Sequence, residues 1–169
     1  MAQPYSGPPF ERIRKCLTDL VTSGISVDSV AVKGAALLEL QIVANACCTL
    51  PDDADDEAHD VADTEALLDV LGQAASRSHI GNRRYRRVLR HVLPLYNVPG
   101  YERYRNMPLE ERRTAAGENL TGNENDPAVR ASTIRTYYEP RALDQLGVAL
   151  IRMEAKERDE EPPPLPHVQ

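Results

Sequence analysis

The chain has 169 residues, enough for one domain of ordinary size, and this length excludes most multidomain enzymes. Tryptophan is absent and phenylalanine occurs once, so the apolar content comes chiefly from Ala, Leu and Val. This composition favours helical packing and argues against an all-β fold. The formal net charge is -6, but the charges are spread unevenly along the chain.

The sign of the charge changes twice along the sequence. Residues 1–76 carry four basic and thirteen acidic side chains, a net charge of -9. Residues 77–141 carry thirteen basic and seven acidic side chains, a net charge of +6, and residues 142–169 return to -3. An ionic ligand responds to charges within about 8 Å of it at physiological salt. The basic middle segment is therefore a better guide to a partner than the total charge.

The N-terminal part predicts helices after a short irregular start. Residues 1–9 contain three prolines and a glycine, and we expect them to be disordered or extended. An amphipathic helix that ends at Gly24 is expected next, because apolar residues recur at spacings of three and four. These residues are Phe10, Ile13, Leu17, Leu20 and Val21. Residues 30–48 are apolar on almost every side, and we expect them to form the buried central helix.

An acidic segment follows this apolar stretch. Pro51 is expected to end the central helix, and residues 51–63 are rich in aspartate and glutamate. Because like charges repel and extend a chain, we expect a solvated linker there. Asp63 or Thr64 is then expected to cap a further helix. Residues 82–96 show the clearest helical periodicity of the chain.

Arginines cluster in this periodic segment and recur shortly after it. The candidate nucleic-acid-binding or anion-binding arginines are Arg83, Arg84, Arg86, Arg87, Arg90, Arg112 and Arg113. Guanidinium groups form paired hydrogen bonds with phosphates, and Tyr101 and Tyr104 add the aromatic rings that nucleic-acid-binding segments contain. The alternative is that these arginines pair with the acidic first half of the chain or with an acidic partner.

A two-helix pattern lies beside the arginines. The first predicted helix covers residues 109–120, LEERRTAAGENL, and the second covers residues 131–139, ASTIRTYYE. Pro108 and the pair Asp126-Pro127 are the expected helix starts. If the second helix enters a DNA groove, its polar face makes the contacts. That face consists of Ser132, Thr133, Arg135 and Thr136.

These two segments resemble the helix-turn-helix-like domains of small regulatory proteins from high-GC bacteria. In that family an ERR…A…L stretch precedes an ST-x-R-x-x-Y/E-E helix, and the resemblance covers residues 101–152. It implies DNA binding by the second helix. The chain departs from the pattern at residues 121–130, an insertion with Glu124 and Asp126 where the family has a short turn. Because carboxylates repel phosphates, a protein-interaction module derived from such a domain is the alternative.

The C-terminal part combines an apolar helix with a polar tail. Pro140 is expected to restart the chain in a last helix. Apolar residues of this helix form a candidate dimer seam: Leu143, Leu146, Leu150 and Met153. Residues 159–169 include a proline run, and we expect them to form a disordered tail.

The sequence contains no catalytic or metal-binding pattern. Its four histidines are scattered, and neither a Cys-x-x-Cys motif nor a phosphate-cradling glycine loop occurs. We therefore expect no cofactor and no metal. No apolar run reaches the length of a transmembrane helix, the start of the chain does not have the pattern of a signal peptide, and three cysteines do not suggest a disulfide framework. We expect a cytoplasmic protein without a membrane partner.

The sequence thus predicts an all-α multi-helix bundle with a helix-turn-helix-like C-terminal half. Its parts are a helical region at residues 10–97 and a helix-turn-helix-like region at residues 101–158. The function predicted first is a non-enzymatic regulator that binds DNA. The alternative is a helical adaptor or assembly subunit that binds an acidic protein and forms a homodimer, and an enzyme is the least favoured class.

Overall fold

The computed structural model describes residues 2–168 and confirms the all-α multi-helix class. A 3-10 turn at Glu102–Tyr104 and a π turn at Ile134–Tyr138 interrupt the α-helical pattern. The α-helices are α1 (Phe10–Ser23), α2 (Val27–Lys33), α3 (Ala35–Leu38), α4 (Gln41–Ala46), α5 (Asp56–Ala74), α6 (Arg83–Val92), α7 (Leu109–Glu118), α8 (Ala131–Thr133) and α9 (Glu139–Glu157). No helix of the described residues has the length and apolar character needed to cross a membrane.

The last helix, α9, lies at the centre of the bundle. It packs against α1, α4, α5 and α6, and most of its apolar side chains are fully buried. Leu143, Leu146 and Leu150 are therefore part of the protein's own core, and Met153 packs against it half-buried. The predicted dimer seam at these residues is wrong, because the surface that would pair two copies is already covered by neighbouring helices.

Residues 30–48 do not form the predicted central helix, and the structure divides them among α2, α3 and α4. Gly34 ends α2, where its N–H donates to the carbonyl of Val30 at 2.9 Å. The carboxylate of Glu154 on α9 accepts hydrogen bonds from the first backbone N–H groups of α4, at 2.7 and 3.0 Å. Val32, which the prediction placed in the buried helix, is 76% exposed. The central-helix prediction fails because apolar composition alone does not show where a helix is capped.

The predicted acidic linker is mostly helical. Asp55 caps α5 by accepting a hydrogen bond from the Ala58 N–H at 2.8 Å. Asp56 and Glu57 lie in the first turn, where the helix dipole favours negative charge. Asp63 and Thr64 therefore lie inside the helix and do not cap it. The clustered carboxylates stabilise a helix start, so the prediction of a linker throughout residues 51–63 is wrong.

The periodic segments of the sequence form helices as predicted. In α1, four residues of the predicted stripe are buried, and Gly24 ends the helix with a φ of 77°. In α6, the side chain of Asn82 accepts hydrogen bonds from the backbone N–H groups of Arg84 and Tyr85, at 3.0 and 3.3 Å. This cap fixes the register of α6 and thereby the directions of its arginines.

Residues 131–157 form one continuous helical stretch through the π turn. The predicted helix start at Asp126-Pro127 is wrong, because the helical residues begin at Ala131. The predicted restart at Pro140 is also wrong, because Glu139 keeps helical angles of -60° and -50°. Proline lacks an N–H and its ring crowds the preceding helical turn. The wider π turn immediately before Pro140 provides the space that this ring needs.

The two ends of the chain lie together instead of being disordered. Gln3–Pro4 pairs in parallel with Glu160–Glu161 in a two-stranded sheet. The backbone N–H of Ser6 donates to the Glu160 carboxylate at 2.9 Å. Leu165 packs partly buried against the core. The polar composition of these segments did not indicate the contacts, because hydrogen bonds between main-chain groups do not require apolar side chains.

Candidate anion-binding site

The helix α6 has one apolar face and one arginine face. Its buried residues are Tyr85, Val88, Leu89, His91 and Val92. Four arginines form a stripe along the opposite side of the helix. They are Arg83 and the residues three, four and seven positions after it, Arg86, Arg87 and Arg90. Burial of the apolar face therefore turns the arginine side chains of the stripe away from the apolar face, although Nε of Arg87 is itself buried.

These arginines line a cleft of about 240 Å³, which we call the arginine cleft. Its walls are Arg77, Arg83, Arg86, Arg87, Arg90 and Tyr101. Arg77 comes from the turn between α5 and α6, and Tyr101 comes from the segment after α6. Three separate parts of the chain thus bring five guanidinium groups and one phenol ring to the same concave surface.

Local contacts hold three of these guanidinium groups in place, and one of them is Arg87, whose Nη1 donates to the Asn119 carbonyl at 3.4 Å. Nη1 of Arg86 donates hydrogen bonds to the carbonyls of Ile80 and Gly81, at 2.8 and 2.9 Å. The guanidinium carbon of Arg90 lies 5.7 Å from the ring centroid of Tyr101, a cation–π distance. The cleft is therefore partly preorganised, which lowers the entropy cost of binding a ligand.

The positive charges of the cleft have no carboxylate partner. Within residues 2–168, no ion pair joins any of the five arginines to an aspartate or a glutamate. The acidic helix α5 packs against α2, α3, α4 and α9 instead. Burial and the positive charges of the neighbouring arginines lower the pKa of Arg86. The acidic first half of the chain therefore does not neutralise the cleft.

A second, smaller cavity of about 140 Å³ adjoins the cleft. We call it the tyrosine pocket, and its walls include Arg87, His91, Tyr101, Arg103, Tyr104 and Asn119. Arg87 and Tyr101 line both cavities. The ring of His91 lies 5.1 Å from that of Tyr101 and 4.5 Å from that of Tyr104. An aromatic cluster thus stands directly beside the guanidinium groups.

His91 is neutral in this setting. Its Nδ1 lies 2.7 Å from the carbonyl of Arg87, so Nδ1 carries the proton and donates. Burial lowers the pKa of His91, and the positive charges of Arg103, Arg87 and Arg90 lower it further. The neutral ring leaves Nε2 with a lone pair that can accept a hydrogen bond.

Arg112 was predicted to bind an anion, but the structure buries it. Its side chain is 3% exposed and donates to the backbone carbonyls of Met107 at 3.1 Å, Val21 at 3.2 Å and Val92. Burial lowers the pKa of Arg112 to about 10. Its guanidinium group satisfies carbonyls at the ends of α1 and α6, so its role is structural.

Arg113 was also predicted to bind an anion, and it too has protein partners. It forms a bidentate pair with Glu139, with nitrogen–oxygen distances of 2.8 and 2.9 Å, and a further pair with Glu110 at 2.6 Å. Hydrogen bonds from these carboxylates raise the pKa of Arg113. The site prediction is wrong for Arg113, since two acidic groups already neutralise it.

The predicted DNA-reading face is exposed. Ser132, Thr133, Arg135 and Thr136 are all solvent-accessible, whereas Ile134 beside them is fully buried. Arg84 is exposed as well, but it does not line the arginine cleft. The helix that carries this face contacts α6 on its apolar side, where the rings of Tyr85 and Tyr138 lie 6.3 Å apart.

Among the residues of the two cavities that sequence reasoning did not select as site residues are Arg77, His91, Asn119 and the shared wall residue Tyr101. Arg77 belongs to the same basic segment as the α6 arginines, so its charge was the available signal. Tyr101 was noted only as an aromatic residue near arginines. Nothing in the sequence marks Asn119, because it reaches the pocket through the packing of α7 on α6.

No metal centre accompanies the two cavities. In the part of the chain that the structure describes, no three histidine, cysteine or carboxylate side chains come together to hold a metal ion.

Searches with protein-family models, among curated proteins and among solved structures each found no match to this chain. The residues of the arginine cleft and the tyrosine pocket are therefore the basis for a proposed function.

Proposed function

We propose that this chain is a non-enzymatic regulatory protein that binds DNA through the arginines of α6. The observation that carries the proposal is the arginine cleft, in which five guanidinium groups line one surface without a carboxylate partner among residues 2–168. Phosphate is the anion that suits paired guanidinium donors best. A nucleic-acid backbone supplies phosphates in series.

The exposed face on α8 and the π turn that follows it gives the proposal a second element. Ser132, Thr133, Arg135 and Thr136 offer hydroxyl and guanidinium donors of the kind that contact base edges and phosphates. In the proposed complex, the α6 arginines supply most of the binding energy and this face supplies sequence preference.

Salt-dependent binding of duplex DNA tests the proposal. Each phosphate contact that releases a counterion adds about 0.9 to the slope of log K against log salt. Replacing both Arg83 and Arg90 with alanine is expected to lower that slope by about two and to weaken binding. These two arginines suit the test because no hydrogen bond from their side chains to residues 2–168 supports the fold.

Arg12→Ala is the matched control. Arg12 is exposed and paired with Glu39 at 3.0 Å, so its removal changes the net charge by one without touching the cleft. The slope is expected to stay unchanged in this variant. Absence of duplex binding at low salt would refute the proposal, and tighter binding of polyglutamate than of DNA would favour the acidic-protein adaptor.

A further inference from the structure

The arginine cleft and the tyrosine pocket are neighbours, and we treat them together as a composite cavity. Arg87 and Tyr101 are walls of both, and the volumes are about 240 and 140 Å³. Together they reach the range of about 300–1,000 Å³ in which small-molecule sites occur. The composite cavity thus has the size of a ligand site, and its two halves differ in chemistry.

The density of positive charge in the cleft favours linked phosphates. Five guanidinium groups share the cleft. A single strand of nucleic acid offers one phosphate charge per about 3.4 Å of helix axis, so a cleft of this size receives only one or two. A diphosphate or triphosphate places several charges within the same space. A compact oligophosphate therefore neutralises the cleft more completely than a strand does.

Arg87 adds a second, independent observation. Its Nε is buried and has no hydrogen-bond partner in the described residues. A buried donor without an acceptor is costly and uncommon in folded proteins. Because Arg87 lines both cavities, its guanidinium group can turn toward an anionic oxygen bound at their junction, and that movement would give Nε the acceptor that it lacks.

The tyrosine pocket suits a flat, partly polar ring. Tyr101 is half-exposed, and the rings of His91 and Tyr104 lie behind it. Bases stack on tyrosine faces and guanidinium planes without requiring a particular sequence.

We propose that the composite cavity binds a free nucleoside diphosphate or triphosphate, with its phosphates in the arginine cleft and its base against Tyr101. The bound nucleotide neutralises arginines that the proposed DNA complex uses, and it therefore displaces DNA. Only this displacement rests on the proposed function. The nucleotide site itself stands on the cavity, the charges and the unpartnered Nε of Arg87.

Calorimetric titration tests the site with three probes: adenosine triphosphate, inorganic triphosphate and adenosine monophosphate, without divalent cations and at low salt. We expect adenosine triphosphate to bind more tightly than inorganic triphosphate and adenosine monophosphate to bind most weakly. Equal affinity for adenosine triphosphate and inorganic triphosphate would overturn the assignment of the base to the pocket. Absence of binding by both would overturn the site.

Variants separate the two halves of the cavity. Tyr101→Leu is expected to weaken adenosine triphosphate about tenfold and inorganic triphosphate much less, because the base loses its platform whereas the phosphates lose only the contact that orients Arg90. Tyr137→Leu, at an exposed tyrosine beside Arg141, is the matched control and should change neither affinity. Arg90→Gln is expected to weaken both ligands about tenfold. Unchanged binding in Arg90→Gln would overturn the assignment of the phosphates.

The two proposals fail in different experiments. Nucleotide binding is measured without DNA, and DNA binding is measured without nucleotide. If the protein binds duplex DNA but not adenosine triphosphate, the nucleotide site is refuted and the DNA proposal stands. If it binds the nucleotide but not DNA, only the proposed function and the displacement are refuted. When both bind, adenosine triphosphate should release bound DNA, and simultaneous binding would refute the shared site.

Discussion

The arginines of α7 and the arginines of α6 differ in what surrounds their guanidinium groups. On α7, Arg112 donates to three backbone carbonyls and Arg113 is held between two carboxylates. On α6, Arg83 and Arg90 face a cleft without a carboxylate partner among residues 2–168. The α7 arginines therefore stabilise the fold, whereas the α6 arginines repel one another and are available to an anion. The role of each arginine therefore depends on the groups that surround its guanidinium group and not on the residue type alone.

Replacing Arg112 tests the structural half of this comparison with the largest expected effect. Arg112→Ala removes three donors and leaves the carbonyls of Val21, Val92 and Met107 in a buried or half-buried setting. We expect the free energy of unfolding to fall by about 3 kcal/mol, because charged hydrogen bonds are lost and buried acceptors stay unpaired. Urea denaturation followed by circular dichroism measures it.

Arg84→Ala is the control for that measurement. Arg84 is exposed and its side chain has no hydrogen bond or ion pair with residues 2–168, so we expect a change within about 0.5 kcal/mol. Equal destabilisation by the two substitutions would contradict the structural role assigned to Arg112.

Removing one of its two carboxylate partners should leave the charge of Arg113 less well compensated. Glu139→Gln leaves Arg113, whose side chain is 11% exposed, with only Glu110 as an acidic partner. We expect a loss of about 2 kcal/mol in the free energy of unfolding, since breaking the buried pair leaves a charge that only the more exposed Glu110 compensates.

The double variant Arg113→Met with Glu139→Gln checks the cause of that loss. It removes the poorly compensated charge of Arg113 as well as the Glu139 carboxylate, and methionine retains much of the packing of the arginine stem. Denaturation midpoints should show the double variant to be more stable than Glu139→Gln alone. The reverse order would mean that packing, and not charge, determines the effect.

The same comparison shows what the sequence could predict. The stripe of α6 was predictable, because Tyr85, Val88 and Leu89 fix its buried face by local periodicity and the arginines then occupy the other face. The burial of Arg112 was not predictable, because its acceptors on α1 and at the end of α6 are distant in sequence. The central position of α9 depends likewise on contacts between elements.

The buried His91 also makes the stability of the protein sensitive to pH. Burial and the charges of Arg87, Arg90 and Arg103 lower the pKa of His91, and Tyr101 and Tyr104 complete its surroundings. Between this lowered pKa and the unfolded value of about 6.5, the unfolded chain binds the proton that the folded chain excludes. Stability is therefore complete above pH 6.5 and falls as the pH decreases below it.

His91→Gln isolates this contribution, because glutamine keeps an N–H donor and does not ionise. The difference in unfolding free energy between wild type and variant should shrink from pH 7.5 to pH 5.5, by no more than about 1.4 kcal/mol. Denaturation of both proteins at the two pH values measures it. A difference that is constant or grows on acidification would contradict a lowered pKa.

Replacing a cleft arginine should have the smallest effect, and of the opposite sign. Arg83 lies three and four residues from Arg86 and Arg87 on one helix face, and like charges at these spacings destabilise a helix by a few tenths of a kcal/mol. We expect Arg83→Gln to raise the free energy of unfolding by about 0.3 kcal/mol at low salt. The gain should disappear at 1 M salt, where charges are screened beyond about 3 Å. In Arg12→Gln, loss of the Glu39 pair removes an attraction, so stability at low salt should not rise. A gain of the same size in both variants would mean that the protein's overall charge is responsible, and it would remove the distinction between unpaired and paired arginines.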